Sequence, residues 1–66
     1  MTNQAPQHGQ TIIFTALAAG TYLSFNRIYT VDKPKGARDF RFVNAASGSS
    51  CYAKPWQVAQ SEWQVA

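Results

Sequence analysis

Residues 38–45, with the sequence RDFRFVNA, carry the strongest local pattern in this chain. Phe40 and Phe42 alternate there with polar or smaller side chains, which is the period of a strand that has one buried face and one solvated face. Turn-forming residues flank the segment, with DKPKG at 32–36 before it and a serine- and glycine-rich stretch at 47–50 after it. A strand between two such turns predicts an antiparallel neighbour on each side.

Four further segments have the composition or the alternation of short strands. Pro55 suits the first turn of a helix, so the segment PWQVAQ predicts a single 3₁₀ turn before the last strand. The sequence therefore predicts an all-β fold, a small five-stranded antiparallel barrel with one short 3₁₀ turn. Besides residues 38–45, the predicted strands are Thr11–Leu17, Ile28–Val31, Cys51–Ala53 and the closing segment 61–66.

The inward positions of these strands predict one hydrophobic core, which Trp63 and Val65 of the last strand would close. Trp56 and Val58 are two positions apart and cannot both face inward unless the turn there is helical, so we expect one of them to be exposed. The expected core residues are Ile12, Phe14, Leu23, Tyr29, Val31, Phe40, Phe42 and Val58.

A chain of 66 residues and 7.3 kDa allows one domain. Its 45% hydrophobic and 14% charged residues are the reverse of the balance that keeps chains disordered. The first ten residues differ from the rest, because they are polar, contain Pro6 and Gly9 and show no apolar periodicity. The composition therefore predicts a flexible tail over residues 1–10 and one barrel domain over residues 11–66.

The cysteine and the apolar segments bear on location. Cys51 is the one cysteine, so an intramolecular disulfide is excluded, and small secreted domains normally need several. The longest apolar stretch, at 12–19, is much shorter than the roughly 20 residues that cross a membrane. No basic residue precedes that stretch, as a signal peptide would require. We expect a cytoplasmic protein.

The residue types used in catalysis are sparse. His8 is the one histidine and lies in the predicted tail, where nothing orients it toward Cys51. We expect Cys51 to be a small strand residue, although nearby Lys54 could lower its thiol pKa. The three acidic residues show no ligand spacing, and the glycines are too far apart to form a phosphate-binding loop. The sequence therefore predicts no enzyme, no cofactor and no metal site.

Basic residues interleaved with aromatic residues give the candidate binding surface. All six basic residues lie between positions 27 and 54, and the net charge is +3. Two functions fit this pattern: a module that binds a protein partner, which we favour, and a barrel that binds nucleic acid through its cations and aromatic rings. The candidate surface residues are Lys33, Lys35, Arg38, Arg41, Tyr52, Lys54 and Trp56.

The apolar spacing between positions 23 and 58 resembles that of SH3-like barrel proteins, which are abundant among small phage and prophage open reading frames. The matching features are Leu23, Tyr29 with Val31, the DKPKG turn, Phe40 with Phe42, the Ser-Gly-Ser turn, Tyr52, and Pro55 with Val58. The resemblance implies a phage or mobile-element accessory protein that binds and modulates a host protein. An SH3-like barrel that binds nucleic acid through its basic surface is the alternative.

Overall fold

The computed structural model describes residues 5–66 of the chain. It confirms an all-β fold with five short antiparallel strands and one short helix. Within the described residues, no helix is long and apolar enough to cross a membrane. The elements are β1 (Thr11–Ala16), β2 (Ile28–Asp32), β3 (Phe40–Asn44), β4 (Ser50–Ala53), α1 (Pro55–Gln60) and β5 (Glu62–Val65).

The strands form one sheet in the order β4-β3-β2-β1-β5, with every neighbouring pair antiparallel. The first four strands follow one another as a meander, and β5 returns to pair with β1 on its other side. β4 and β5 are thus the two edges of the sheet, and α1 connects them. The predicted barrel is therefore bridged by a helix at this point rather than closed by a ladder of hydrogen bonds.

β1 illustrates why the alternation predicted the fold. Ile12 and Phe14 are fully buried, whereas Thr11 and Thr15 on the opposite face are exposed. The pairing with β5 shifts between Phe14 and Ala16, so that β1 has a bulge at this position. A bulge bends the strand and increases its twist, which lets a short sheet curve around one core.

The turn between β3 and β4 explains why β3 ends at Asn44 rather than at Ala45. The Asn44 side-chain oxygen accepts the backbone N–H groups of Ala46 at 2.8 Å and of Ser47 at 3.1 Å. Gly48 has a positive φ of 79° and donates its N–H to the Asn44 carbonyl at 2.8 Å. An asparagine side chain that bonds to the next residues favours a turn over an extended strand.

The core is built mainly from aromatic rings. Phe14 meets Phe42 edge to face with ring centroids 5.2 Å apart, and Phe40 stacks on Phe42 at 6.0 Å. Tyr29 contacts both Phe14 and Phe42 in the same edge-on manner. All eight residues predicted for the core of the barrel, apart from the closing positions Trp63 and Val65, are buried, and Ala53 completes the cluster.

Helix α1 is an α-helix of six residues rather than a 3₁₀ turn. Pro55 occupies its first turn, and the Gln57 side-chain oxygen accepts the Lys54 backbone N–H at 2.9 Å. Val58 is buried in the core, whereas Trp56 remains 51% exposed. The prediction that one of these two residues faces solvent is confirmed, and the exposed one is Trp56.

The last strand closes the core only in part. Trp63 lies opposite Phe14 and packs against the core, as the sequence predicts. Val65 lies opposite Ile12 but is 62% exposed, so its predicted place in the core is wrong. The reason is its position at the end of an edge strand, where no further strand covers it.

The segment 17–27 links β1 to β2 as an ordered loop, although Leu23 and Phe25 alternate as they would in a strand. Its start is held by the Ala18 N–H, which donates to the Ser61 hydroxyl at 3.0 Å. Its later part is held by the Ser24 N–H, which donates to the Tyr29 hydroxyl at 3.0 Å. Leu23 enters the core between these two anchors.

Residues 5–10 contact the second strand. The Gly9 N–H donates to the Val31 carbonyl and the Val31 N–H donates to the Gln10 carbonyl, both at 2.8 Å. Pro6 is buried. Composition predicted a flexible tail over residues 1–10. Residues 1–4 of that segment lie outside the described residues. Gly9 and Gln10 are hydrogen-bonded to Val31, which lies just beyond the last β2 residue that pairs with β1.

Candidate binding groove

A surface groove of about 230 Å³ lies where the β1–β2 loop, the start of β3, the end of β4 and α1 come together. We call it the tyrosine groove, because two tyrosines line it. Its lining residues are Gly20, Tyr22, Asp39, Tyr52, Ala53, Lys54 and Gln57.

Tyr22 and Tyr52 are the two large aromatic side chains of the tyrosine groove. Tyr22 is 86% exposed and Tyr52 is 64% exposed. Tyr22 is displayed by a fixed backbone, because Leu23 next to it is buried and the Thr21 hydroxyl donates to the Ala18 carbonyl at 3.2 Å. Large aromatic rings held in solvent by an ordered backbone are typical of interaction surfaces.

The helix side of the tyrosine groove depends on Gly20. Its φ is +85°, and a Cβ atom built at this position would lie 3.4 Å from the Gln57 side-chain nitrogen. Glycine is favoured here by the left-handed backbone rather than by lack of space, because the contact with the flexible Gln57 side chain is at an ordinary van der Waals distance. The Gln57 carbonyl accepts the Ser61 hydroxyl at 2.8 Å, so the loop, helix and start of β5 are joined through one buried serine.

Asp39 and Lys54 give the tyrosine groove one charge of each sign. They follow directly beyond the pair Phe40–Ala53, where the β3–β4 ladder ends. Asp39 is half-buried and Lys54 is exposed. Within the described residues the two form no ion pair with each other, so both charges face the groove or the solvent around it.

Two cations of the predicted surface are engaged inside the domain. The Arg41 Nη1 atom donates to Asp32 Oδ2 at 2.7 Å, and Arg41 lies opposite Asp32 in the β2–β3 ladder. The Lys33 Nζ atom lies 5.0 Å from the centroid of the buried Phe40 ring, in a cation–π contact. Both side chains are half-buried and have partners within the domain.

The remaining predicted surface residues are exposed. Tyr52 and Lys54 line the tyrosine groove, while Trp56 precedes the lining residue Gln57 on α1. Lys35 and Arg38 lie in the β2–β3 loop that leads to Asp39. The structure thus brings part of the predicted surface together around one groove.

Sequence reasoning missed five lining residues of the tyrosine groove, which are Gly20, Tyr22, Asp39, Ala53 and Gln57. Tyr22 sits in a segment whose alternation resembles a strand, and the sequence analysis therefore did not select it as a surface residue. The combination of a glycine, an aromatic residue and a serine in the 20–24 segment was the available sign of a displayed loop.

Cys51 and His8 show no arrangement for nucleophilic catalysis. Burial raises the pKa of the Cys51 thiol, so the expected lowering by Lys54 is wrong, and desolvation of the thiolate is the physical reason. His8 lies beside β2, where its Nδ1 atom accepts the Lys33 N–H at 3.0 Å. Across residues 5–66, no group of three or more His, Cys, Asp or Glu side chains is placed to hold a metal ion.

Comparisons of this chain with known protein families, with curated proteins and with solved structures find no match.

Proposed function

We propose that this chain is a small non-catalytic binding module that acts in the cytoplasm by binding a protein partner at the tyrosine groove. The observation that carries the proposal is the exposure of Tyr22 on an anchored loop and of Tyr52 in the lining of the same groove. Two exposed aromatic rings supply large apolar contact area with little loss of side-chain freedom on binding.

The biological setting of this proposal is that of a phage or mobile-element accessory protein that modulates a host protein. The SH3-like spacing of the apolar residues supports it. A single small domain with one binding surface can act by occupying a site on a larger protein, without chemistry of its own.

A protein partner fits the surface better than nucleic acid does. Phosphate binding would need several free cations, and Arg41 and Lys33 are engaged with Asp32 and Phe40 instead. Exposed tyrosines flanked by a few charges are typical of protein interfaces.

Site-specific photo-crosslinking in the cells that carry the gene tests this function. A photoreactive phenylalanine derivative replaces Tyr22 or Tyr52 in the full chain, and the control places it at Gln64. Gln64 is exposed on the opposite edge strand, so it samples a different surface. We expect a discrete protein adduct from positions 22 and 52 and none from 64. Adducts with nucleic acid, or equal adducts from all three positions, would contradict the proposal.

A further inference from the structure

Three exposed cations belong to the tyrosine groove or to the loop that leads into it. Lys54 lines it, Arg38 precedes the lining residue Asp39, and Lys35 belongs to the same β2–β3 loop. All three side chains are exposed, and none forms an ion pair with another residue in the described part of the chain.

The acidic residues do not offset this charge at the tyrosine groove. Of the three in the chain, Asp32 is paired with Arg41, and Glu62 on β5 does not line the groove. Asp39 alone among them lines the groove. The neighbourhood of the groove therefore has an excess of positive charge, in keeping with the net charge of +3.

The walls of the tyrosine groove fit a peptide better than a polyanionic strand. Tyr22 and Tyr52 present ring faces for apolar or aromatic side chains, and their hydroxyl groups can donate hydrogen bonds to carboxylates. Three free cations are few for a nucleic acid, which gains affinity by displacing counterions from many phosphates.

Resting on the proposed function, we infer that the partner segment that enters the tyrosine groove is an acidic peptide with interspersed aromatic or apolar side chains. Its carboxylates meet Lys54 and Arg38, and its apolar side chains pack between the two tyrosines. Lys35 adds to the field that draws an acidic segment toward the groove and speeds association. In this arrangement Asp39 opposes binding, which gives the inference its sharpest test.

The probe is a short capped peptide of alternating glutamate and tyrosine, titrated into the isotope-labelled full chain and followed by NMR. Two comparison ligands are the same peptide with lysine in place of glutamate and a single strand of oligothymidine. Lys54→Ala and Asp39→Asn are the test variants. Glu62→Gln is the matched control, because it changes the net charge as Asp39→Asn does, at a residue that does not line the groove.

We expect the acidic peptide to shift the amide signals of Tyr22, Tyr52 and Lys54, with binding that weakens as salt is raised. Lys54→Ala should weaken it about three- to tenfold, and Asp39→Asn should strengthen it about two- to fivefold. Glu62→Gln should have a smaller effect than Asp39→Asn.

Four outcomes would overturn the inference: equal or tighter binding of the lysine peptide, weaker binding by Asp39→Asn, tighter binding of oligothymidine at the groove, or no groove shift with any ligand. The proposed function fails separately, in the photo-crosslinking experiment. A protein adduct at Tyr22 whose yield is insensitive to Asp39→Asn and Lys54→Ala would leave the function standing and remove the acidic ligand.

Discussion

Arg41 on β3 and Asp32 on β2 lie directly opposite each other, and the guanidinium donates to the carboxylate at 2.7 Å. The pair occupies the outer face of the sheet, where Tyr52 of β4 is the next residue in the same row. The charge of Arg41 is therefore balanced within the domain by Asp32. The sequence predicted Arg41 as one of several basic surface residues. The structure separates it from Lys35, Arg38 and Lys54, which form no ion pair in the described part of the chain.

The Arg41–Asp32 pair is expected to contribute little to stability, because the side chains are 38% and 34% exposed to solvent. A double-mutant cycle with Arg41→Gln and Asp32→Asn should give a coupling free energy of about 0.2–1 kcal/mol. Urea unfolding at low and high salt measures it, and high salt should reduce it. A coupling that salt leaves unchanged would show that the pair is better shielded than its exposure indicates.

Phe42 is expected to be the most sensitive core position on β3. Its ring is fully buried and contacts Phe14, Tyr29 and Phe40. Phe42→Ala should lower the free energy of unfolding by about 3–5 kcal/mol, which rivals the whole stability of so small a domain. Ile28→Ala on the exposed face is the control and should cost far less. Similar melting temperatures for the two variants would contradict the described core.

Replacing Trp56 with alanine should destabilise the domain less than replacing Val58, although tryptophan is the larger side chain. Trp56→Ala removes a large ring that is half in solvent and should cost less than about 1 kcal/mol of stability. Val58→Ala removes two methyl groups from the core and should cost about 2 kcal/mol. Thermal and chemical unfolding of the pair measures both effects. A larger loss for Trp56→Ala would mean that the helix turns its tryptophan inward.

Truncation of residues 1–9 tests whether the start of the chain is a free tail. Composition alone predicts no change in stability. The hydrogen bond from Gly9 to Val31 and the buried Pro6 predict a loss of about 1–2 kcal/mol instead. Chemical unfolding of the shortened chain decides between them. An unchanged free energy of unfolding would instead support the flexible tail that composition predicts.

Local patterns were sufficient for much of the fold. The alternation around Phe14 and Phe42 indicated strands and their buried faces, because a strand with one buried face has a period of two residues. The turn at Gly48 was also predicted from the sequence, because small residues, and glycine in particular, are typical of turns that reverse the chain direction. These features depend on neighbours in the sequence, so a single chain reveals them.

The tyrosine groove depended on contacts between distant residues and was predicted only in part. Tyr52 and Lys54 were identified because cations and aromatic residues alternate there. Tyr22 was not, because the loop that carries it is held partly by a long-range contact, the bond between Ala18 and Ser61, which are 43 positions apart. The same applies to Val65, whose exposure is set by the order of strands in the sheet.

The most direct test of the central claim is the affinity of the crosslinked partner, once purified, for three forms of the chain. These are the wild type, Tyr22→Ser combined with Tyr52→Ser, and the control Ile28→Ser, which alters an exposed apolar residue on β2. We predict that the tyrosine double variant loses about tenfold or more in affinity while its melting temperature stays near that of the wild type. The control should bind as the wild type does. Full affinity of the double variant, or a loss shared equally by the control, would contradict the claim that the tyrosine groove is the functional surface.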